Sequence, residues 1–509
     1  MISKQSNIGF VVFALLLGIL MSAMDNTIVA TAMGTIVSEL GGFEQFIWVT
    51  SAYMVATMAG MPIFGKLSDM YGRKRFYVLG LILFLAGSLL CGTANSIVQL
   101  SIYRAIQGIG GGALMPIAFT IIFDIFPPEK RGKMTGLFGA VFGIASIFGP
   151  LLGAYITEYI HWRWVFYINL PIGLLSLLFI LVSYKESLEH REQKIDWWGA
   201  VTLVGAVVSL MFALELGGST YAWNSVQIIG LFTAFVVLFV IFLFVEKVAS
   251  DPIISYSMFR RRLFAMSNVI GFFYGATFVI CTVYIPIYVQ GVYGGSATNS
   301  GLILTPMMLG SVVGSQLGGF LTTKTSFRNI MILSGVFFVA GMILLSTLNP
   351  ELPRGMVTLY MIITGFGVGF SFSTLGMAAV QGFDIRQRGS ASSTNSFSRS
   401  LGMTLGVTIF GIVQRNLFSS KLADLFAGAQ GAQGKVVGDP RAILDPHVRA
   451  QIPTEVLDKI TDALSSSIAQ MFMWAIIPAI LAAVSILIMG NERVQLAPKG
   501  KGPQVPQGH

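Results

Sequence analysis

Two ionisable side chains lie inside long apolar stretches of this chain: an aspartate, whose carboxylate can bind a proton reversibly, and an arginine, whose charge can act on that carboxylate. Asp25 lies in a stretch near 9–31, and Arg104 lies in another near 97–121. A charged group at membrane depth is costly, and it usually lines a cavity or finds a partner of opposite charge. Burial raises the pKa of a carboxylate and a neighbouring cation lowers it, which can tune a site for proton exchange. Two interpretations stay open: a solvated cavity that the two residues share, or a static salt bridge between them.

Composition places these residues in a membrane protein. Hydrophobic residues make up 54% of the 509 positions and charged residues 11%, whereas soluble proteins contain about 25% charged residues. A membrane-spanning helix needs about 20 apolar residues. Fourteen stretches are candidates: 9–31, 46–65, 76–94, 97–121, 133–157, 163–184, 197–217, 226–246, 264–291, 298–320, 329–348, 355–380, 390–414 and 467–489.

The predicted helices bring Asp25 and Arg104 to a common depth. Asp25 is six residues from the outer end of the first stretch, or roughly 9 Å along a helix axis at 1.5 Å per residue. The fourth stretch runs in the opposite direction and begins near Ile97. We therefore expect the carboxylate and the guanidinium to lie near each other.

The distribution of Lys and Arg predicts the orientation. With both termini in the cytoplasm, most of the 32 Lys and Arg residues fall in cytoplasmic segments, as is usual for membrane proteins. The net charge of +9 therefore indicates membrane anchoring, and we expect no nucleic-acid partner. Cys91 and Cys281 fall inside predicted helices, so the sequence predicts neither a disulfide nor a metal site.

An internal repeat predicts two related halves. Five residues recur 257 positions later, and Gly149 recurs as Gly406. Two adjacent six-helix halves would repeat after about 180 residues, so we interpret the seventh and eighth stretches as an insertion. The five recurring pairs are Gly108 and Gly365, Gly110 and Gly367, Gly112 and Gly369, Arg131 and Arg388, and Gly132 and Gly389.

The segment 65–75 carries a recognisable motif. Its spacing G-x-L-x-D-x-x-G-R-K resembles the loop between helices 2 and 3 of the major facilitator superfamily, whose two six-helix halves enclose a substrate site near the membrane midplane. The matching residues are Gly65, Asp69, Gly72 and Arg73. The resemblance implies that Asp69, Arg73 and Asp124 form a charge network that closes the cytoplasmic side.

Two further helices resemble the branch of this superfamily that has fourteen helices and exchanges drugs for protons. Arg104 and Gln107 match the R-x-x-Q-G-x-G pattern of its fourth helix. The fifth predicted helix resembles the antiporter motif that marks exporters, with Ala145 and Ala154 where glycine is usual. The residues that match this motif are Gly136, Gly149, Pro150 and Gly153.

Two charged residues remain as weaker candidates. Glu215 lies at the outer end of the seventh predicted helix, where we expect an interfacial position. Arg399 lies within the thirteenth, and we expect it to face the bundle interior because exposure to lipid would be costly.

The resemblance implies a domain division and a function. We expect a six-helix half at 8–184, a linker with two extra helices at 185–262, a second half at 263–490 with an external loop at 415–466, and a cytoplasmic tail at 491–509. The implied activity is export of hydrophobic, cationic drug-like compounds across a bacterial plasma membrane. The proton gradient drives it, with no cofactor, nucleotide or enzymatic step, in a monomer surrounded by lipid.

Two other functions stay open. One is export of a single metabolite, siderophore or lipid. The other is a receptor or scaffold that keeps the fold without transport. An ATP-driven pump is disfavoured because Gly434 and Lys435 lack the spacing of a P-loop.

Overall fold

The computed structural model describes residues 7–41, 47–186, 195–218, 220–294, 303–426 and 453–494, which are mostly α-helical and contain no β-strand. Fourteen helices in these ranges have fifteen or more residues, and we label them α1 to α14. They are α1 Ile8–Leu40, α2 Ile47–Tyr71, α3 Arg73–Gly92, α4 Ile97–Ile125, α5 Pro128–Tyr159, α6 Asn169–Ser183, α7 Trp197–Leu216, α8 Val226–Val248, α9 Arg262–Gly291, α10 Leu304–Leu321, α11 Phe327–Leu345, α12 Arg354–Val380, α13 Arg388–Phe426 and α14 Thr454–Ile488.

Twelve helices in the described part of the chain are long and apolar enough to cross a membrane. The other two long helices are α2 and α10. Lys66 and Asp69 lie near the end of α2, and α10 is rich in glycine and serine. The protein is thus an all-α membrane protein, and the count of fourteen crossings stays a prediction.

The repeat seen in the sequence has the same packing role in both halves. A Cβ atom on Gly108 would lie 2.4 Å from the Tyr53 carbonyl oxygen of α2, and one on Gly365 would lie 2.0 Å from that of Met307 in α10. Glycine is required at both positions, because no side chain fits at such distances. The matching contacts agree with the predicted correspondence of α1–α6 with α9–α14, which stays a prediction.

The two units meet mainly where α5 packs on α10 and where α2 packs on α13. We call the end of the bundle at which α2 passes into α3 the gate end, and the opposite end the far end. The inserted helices α7 and α8 pack against each other, and α7 lies on the outside of α2. Most of α8 is exposed, as expected for a surface that faces lipid.

Several boundaries differ from the sequence prediction. The segment 65–75 is not a loop, because α2 continues to Tyr71 and only Gly72 breaks the helix, at φ 106°. The predicted external loop at 415–466 is also partly wrong. Helix α13 extends to Phe426 and α14 already begins at Thr454, since the amphipathic residues there continue the helix; residues 427–452 lie outside the described ranges.

Substitution of Glu215 tests whether the α7–α8 pair lies outside the transport site. Glu215 forms a hydrogen bond with Ser51 of α2. We expect Glu215→Gln to leave pH-driven dye efflux within about twofold of the wild type, because an amide can keep a neutral bond at such a site. Loss of the pH dependence in a normally expressed Glu215→Gln protein would instead make this residue part of the transport site.

Candidate functional site

The Asp25 carboxylate lies at the centre of a fully buried polar cluster. Asp25 and Arg104 are both 0% exposed, and Arg104 Nη1 lies 2.5 Å from Asp25 Oδ2. The other carboxylate oxygen accepts hydrogen bonds from Gln107 Nε2 and Asn169 Nδ2, each at 2.8 Å. Three donors from two other helices thus hold one carboxylate, which suits a charged group removed from water.

The elements around this cluster explain its position. Arg104 also donates to the Val49 carbonyl at 3.2 Å, and its guanidinium carbon lies 4.2 Å from the centre of the Tyr53 ring. Asn169 is the first residue of α6, directly after the short helix Trp164–Tyr167. That break turns the Asn169 side chain toward α1.

Two expectations about Asp25 need correction. Helix α1 continues to Leu40, so Asp25 is roughly 22 Å along the axis from the far end of its helix at 1.5 Å per residue, farther than the shorter predicted stretch indicates. The pair lies in a closed cluster, and neither residue lines the central cavity described below. The structure therefore contains the salt bridge and not the shared solvated cavity.

The glycines of the antiporter motif bring α5 against the helices on both of its sides. A Cβ atom on Gly149 would lie 1.9 Å from Thr27 Oγ1, and one on Gly153 would lie 2.2 Å from Thr31 Oγ1. Gly136 faces Gln316 of α10 instead. Helix α5 therefore packs directly on the turns of α1 that follow Asp25, and Pro150 lies within this contact region.

A second charge cluster lies at the gate end. Arg73 is fully buried, and its guanidinium reaches Asp69 Oδ1 at 2.7 Å and Asp124 Oδ2 at 2.5 Å. The three residues that the sequence places in a network are therefore in contact. Gly72 makes this possible, because its positive φ allows α3 to start immediately after α2 and so brings Arg73 back toward Asp69.

The same cluster bridges the two halves. Asp69 accepts hydrogen bonds from the backbone N–H groups of Gly389 and Ser390 at 2.8 and 2.7 Å. Arg388 Nη1 donates to Asp124 Oδ1 at 2.8 Å, and Arg73 donates to the Ile385 carbonyl. The carboxylate of Asp69 thus caps the N-terminus of α13, where unpaired N–H groups and the helix dipole favour an anion.

Close backbone contacts flank this cluster. A Cβ atom on Gly65 would lie 2.0 Å from Ser393 Oγ, and one on Gly132 would lie 1.8 Å from the Gly319 carbonyl oxygen. The first contact joins α2 to α13 and the second joins α5 to α10. The gate end is closed in this structure.

Sequence reasoning missed two residues of these clusters, Asn169 and Glu186. Asn169 was not recognised because an asparagine near a helix start usually indicates a cap. Glu186 accepts hydrogen bonds from the backbone N–H groups of Arg73 and Lys74 at 2.7 and 3.1 Å, from a segment distant in sequence. The Arg-Gly repeat did single out Arg388, but nothing in the sequence pairs it with Asp124.

A cavity of about 100 Å³ lies between the halves and is lined mainly by aromatic, methionine and small polar side chains. Arg399 faces it, as the sequence predicts, whereas Glu215 does not line it. The lining residues are Met61, Met115, Phe119, Phe142, Tyr274, Gly275, Phe278, Val368, Ser371, Phe372, Gly376, Ser392, Asn395, Ser396, Arg399, Ser400 and Met403. In the described part of the chain, no cluster of His, Cys, Asp or Glu could hold a metal ion.

Comparison with known proteins decides the family. The model of the Major Facilitator Superfamily matches residues 15–196 and 186–407. The chain is 62% identical over 497 residues to Multidrug resistance protein 3 of Bacillus subtilis (strain 168), covering 97% of each protein. The chain belongs to the major facilitator superfamily. As a major facilitator it is a multi-pass membrane transporter of small molecules and not an enzyme.

Two other matches agree with this assignment. The chain is 37% identical to Multidrug transporter protein MdtP of the same bacterium, covering 91% of this chain and 89% of that protein. The solved structure of the proton:xylose symporter XylE has a TM-score of 0.58 at 14% identity, covering 92% of this chain and 94% of XylE. The match to XylE shows the major facilitator fold alone.

Removal of the Asp69 charge should open the gate end. Asp69→Asn weakens the bonds to Arg73 and to the α13 N-terminus, and a loss of 1.4 kcal/mol already shifts a two-state equilibrium about tenfold. We expect labelling of an introduced Ser396→Cys by an impermeant thiol reagent, added at the gate end, to become about tenfold faster. The exposed residue Arg386 provides the control, as Arg386→Gln should leave the rate unchanged. Equal rates in Asp69→Asn and the parent protein would contradict the gate.

The Asn169 hydrogen bond should stabilise the fold more than a neutral one nearby. Hydrogen bonds to charged groups contribute about 1.5–3 kcal/mol, against about 1 kcal/mol for neutral pairs. Asn169→Ala should therefore lower the thermal midpoint of the purified protein more than Ser176→Ala does. Ser176 is the matched control because it is buried on the same helix and donates to the Ala14 carbonyl of α1 at 2.7 Å. A smaller shift for Asn169→Ala would show that the cluster does not depend on it.

Proposed function

We propose that this protein exports hydrophobic drug-like compounds from the cytoplasm in exchange for protons. The observation that carries the proposal is the carboxylate of Asp25, fully buried in a membrane helix and paired with one arginine. The two Bacillus subtilis relatives, a multidrug resistance protein and a multidrug transporter, support drug export. The proton as the coupling ion is our inference from the chemistry of a buried carboxylate.

The proposed cycle uses the two clusters in turn. The gate end is the cytoplasmic end, so this structure is closed to the cytoplasm. Both termini lie on the cytoplasmic side of the bacterial plasma membrane. A proton from outside neutralises Asp25 as the substrate leaves. The gate end then opens, and the proton is released toward the cytoplasm. The protein works as a monomer within lipid, and all fourteen long helices cross the membrane.

Protonation acts through the ion pair. A neutral Asp25 leaves the guanidinium of Arg104 buried without a counter-charge, and breaking a buried pair in this way costs about 3–5 kcal/mol. A shift of about 5.5 kcal/mol turns a two-state population from 1:99 to 99:1. One proton therefore supplies a large part of the free energy that such a change of state needs.

The residues that line the cavity do not support the expectation of cationic substrates. No aspartate or glutamate is among the residues that line it, so a cation would find no opposite charge there. The apolar and aromatic lining instead suits varied hydrophobic molecules, because methionine and aromatic side chains adapt to different shapes.

The coupling can be tested in inverted membrane vesicles with an imposed pH gradient. Asp25→Asn should abolish gradient-driven dye uptake into such vesicles, because an amide cannot bind and release a proton at neutral pH. The exposed acid Glu351 offers a matched control, since Glu351→Gln removes one carboxylate outside the helices. Full gradient-driven uptake by a well-folded Asp25→Asn protein would rule out Asp25 as the coupling site.

A further inference from the structure

Arg399, which is partly exposed, differs from the two fully buried arginines in how its charge is balanced. Arg73 and Arg104 each form an ion pair with a carboxylate. Arg399 forms none within the described residues. Its one hydrogen bond runs from Nη2 to the Ser371 carbonyl at 3.2 Å, and its guanidinium carbon lies 4.8 Å from the centre of the Phe372 ring.

A guanidinium has five N–H donors, and here only one of them is bonded to the protein. Because Arg399 lines the central cavity, the unused donors are available to a molecule in that space. A charge inside the membrane that has no protein partner is costly, and functional cavities are where such charges occur. The missing counter-charge therefore points to a bound anion.

The internal repeat shows that this charge is specific to one half. Residues 257 positions apart occupy corresponding places, and three such pairs line the cavity: Met115 with Phe372, Phe119 with Gly376, and Phe142 with Arg399. The first half thus contributes apolar side chains at all three places. The second half contributes the single cation.

We propose that Arg399 is the ligand-binding cation of the central cavity, and that the cavity takes amphipathic organic anions or zwitterions. The favoured ligand has an aromatic body with a carboxylate or sulfonate, because the planar fork of arginine binds two oxygens of such a group at once. Phe119, Phe142 and Phe278 surround the aromatic body. Asn395, Ser396 and Ser400 are polar residues on the same helix as Arg399 that also line the cavity. The inference rests on the proposed function and names its substrate class.

Two dyes that share one aromatic body test this preference. The first is 1-anilinonaphthalene-8-sulfonate and the second is the uncharged N-phenyl-1-naphthylamine, both measured by equilibrium dialysis against the purified full-length protein. Arg399→Gln should weaken binding of the sulfonate about tenfold or more, the range expected for a charge-assisted hydrogen bond. Binding of the neutral dye should change less than about twofold. The affinity of Arg399→Lys for the sulfonate should lie between those of the wild type and Arg399→Gln. Arg354→Gln, which removes an exposed arginine outside the cavity, should change the binding of neither dye.

A competition experiment on the wild type keeps the test independent of variant folding. Benzenesulfonate should displace the bound sulfonate dye, and phenyltrimethylammonium, which has the same ring and the opposite charge, should not. Equal displacement by both would overturn the inference, as would an equal loss of both dyes in an Arg399→Gln protein of unchanged thermal midpoint. If the protein binds anions selectively but shows no gradient-driven transport, the result contradicts the proposed function and leaves this inference standing. Transport of the neutral dye without any preference for anions would contradict this inference alone.

Discussion

The carboxylate of Asp69 on the N-terminus of α13 is the interaction on which the closed state depends. It joins the two halves at the point where a helix presents unpaired N–H groups and the positive end of its dipole. Arg73 forms ion pairs with this carboxylate and with Asp124, and Asp124 in turn pairs with Arg388. The corresponding segment of the second half, 322–328, contains no acid. The carboxylate contact with a helix N-terminus is therefore made from the first half alone.

Helix α4 connects this gate with the proposed proton site. It carries Arg104 and, twenty residues later, Asp124, which corresponds to about 30 Å along a helix at 1.5 Å per residue. Glycines on α4 contact the backbones of α2 and α3 closely, so a movement of α4 must displace its neighbours. Arg104 is paired with α1 and Asp124 with α13. A change in the charge of Asp25 therefore acts on a helix whose other end is part of the gate.

The sequence was sufficient for the fold and for most residues of the two clusters. Hydrophobic stretches predict the order of the helices, and the 257-residue repeat predicts two corresponding six-helix units. The pairing across the halves could not be predicted, because the Asp69 contacts to Gly389 and Ser390 use backbone N–H groups that carry no sequence signal. Asn169 and Glu186 were missed for a related reason, since each acts on a helix far away in the sequence. Helix ends were wrong where polar or amphipathic residues continue a helix, as in α13 and α14.

The central claim is that the charge state of Asp25 controls the gate end. Spin labels at Lys133 and Lys324, which are exposed beside the contact of Gly132 with Gly319, report the separation of the halves there. Electron-paramagnetic-resonance distances should show one short population in the wild type. Asp25→Asn, which mimics the protonated carboxyl, should add a population at longer distance. Identical distance distributions in the two proteins would contradict the claim and would separate the gate from the buried carboxylate.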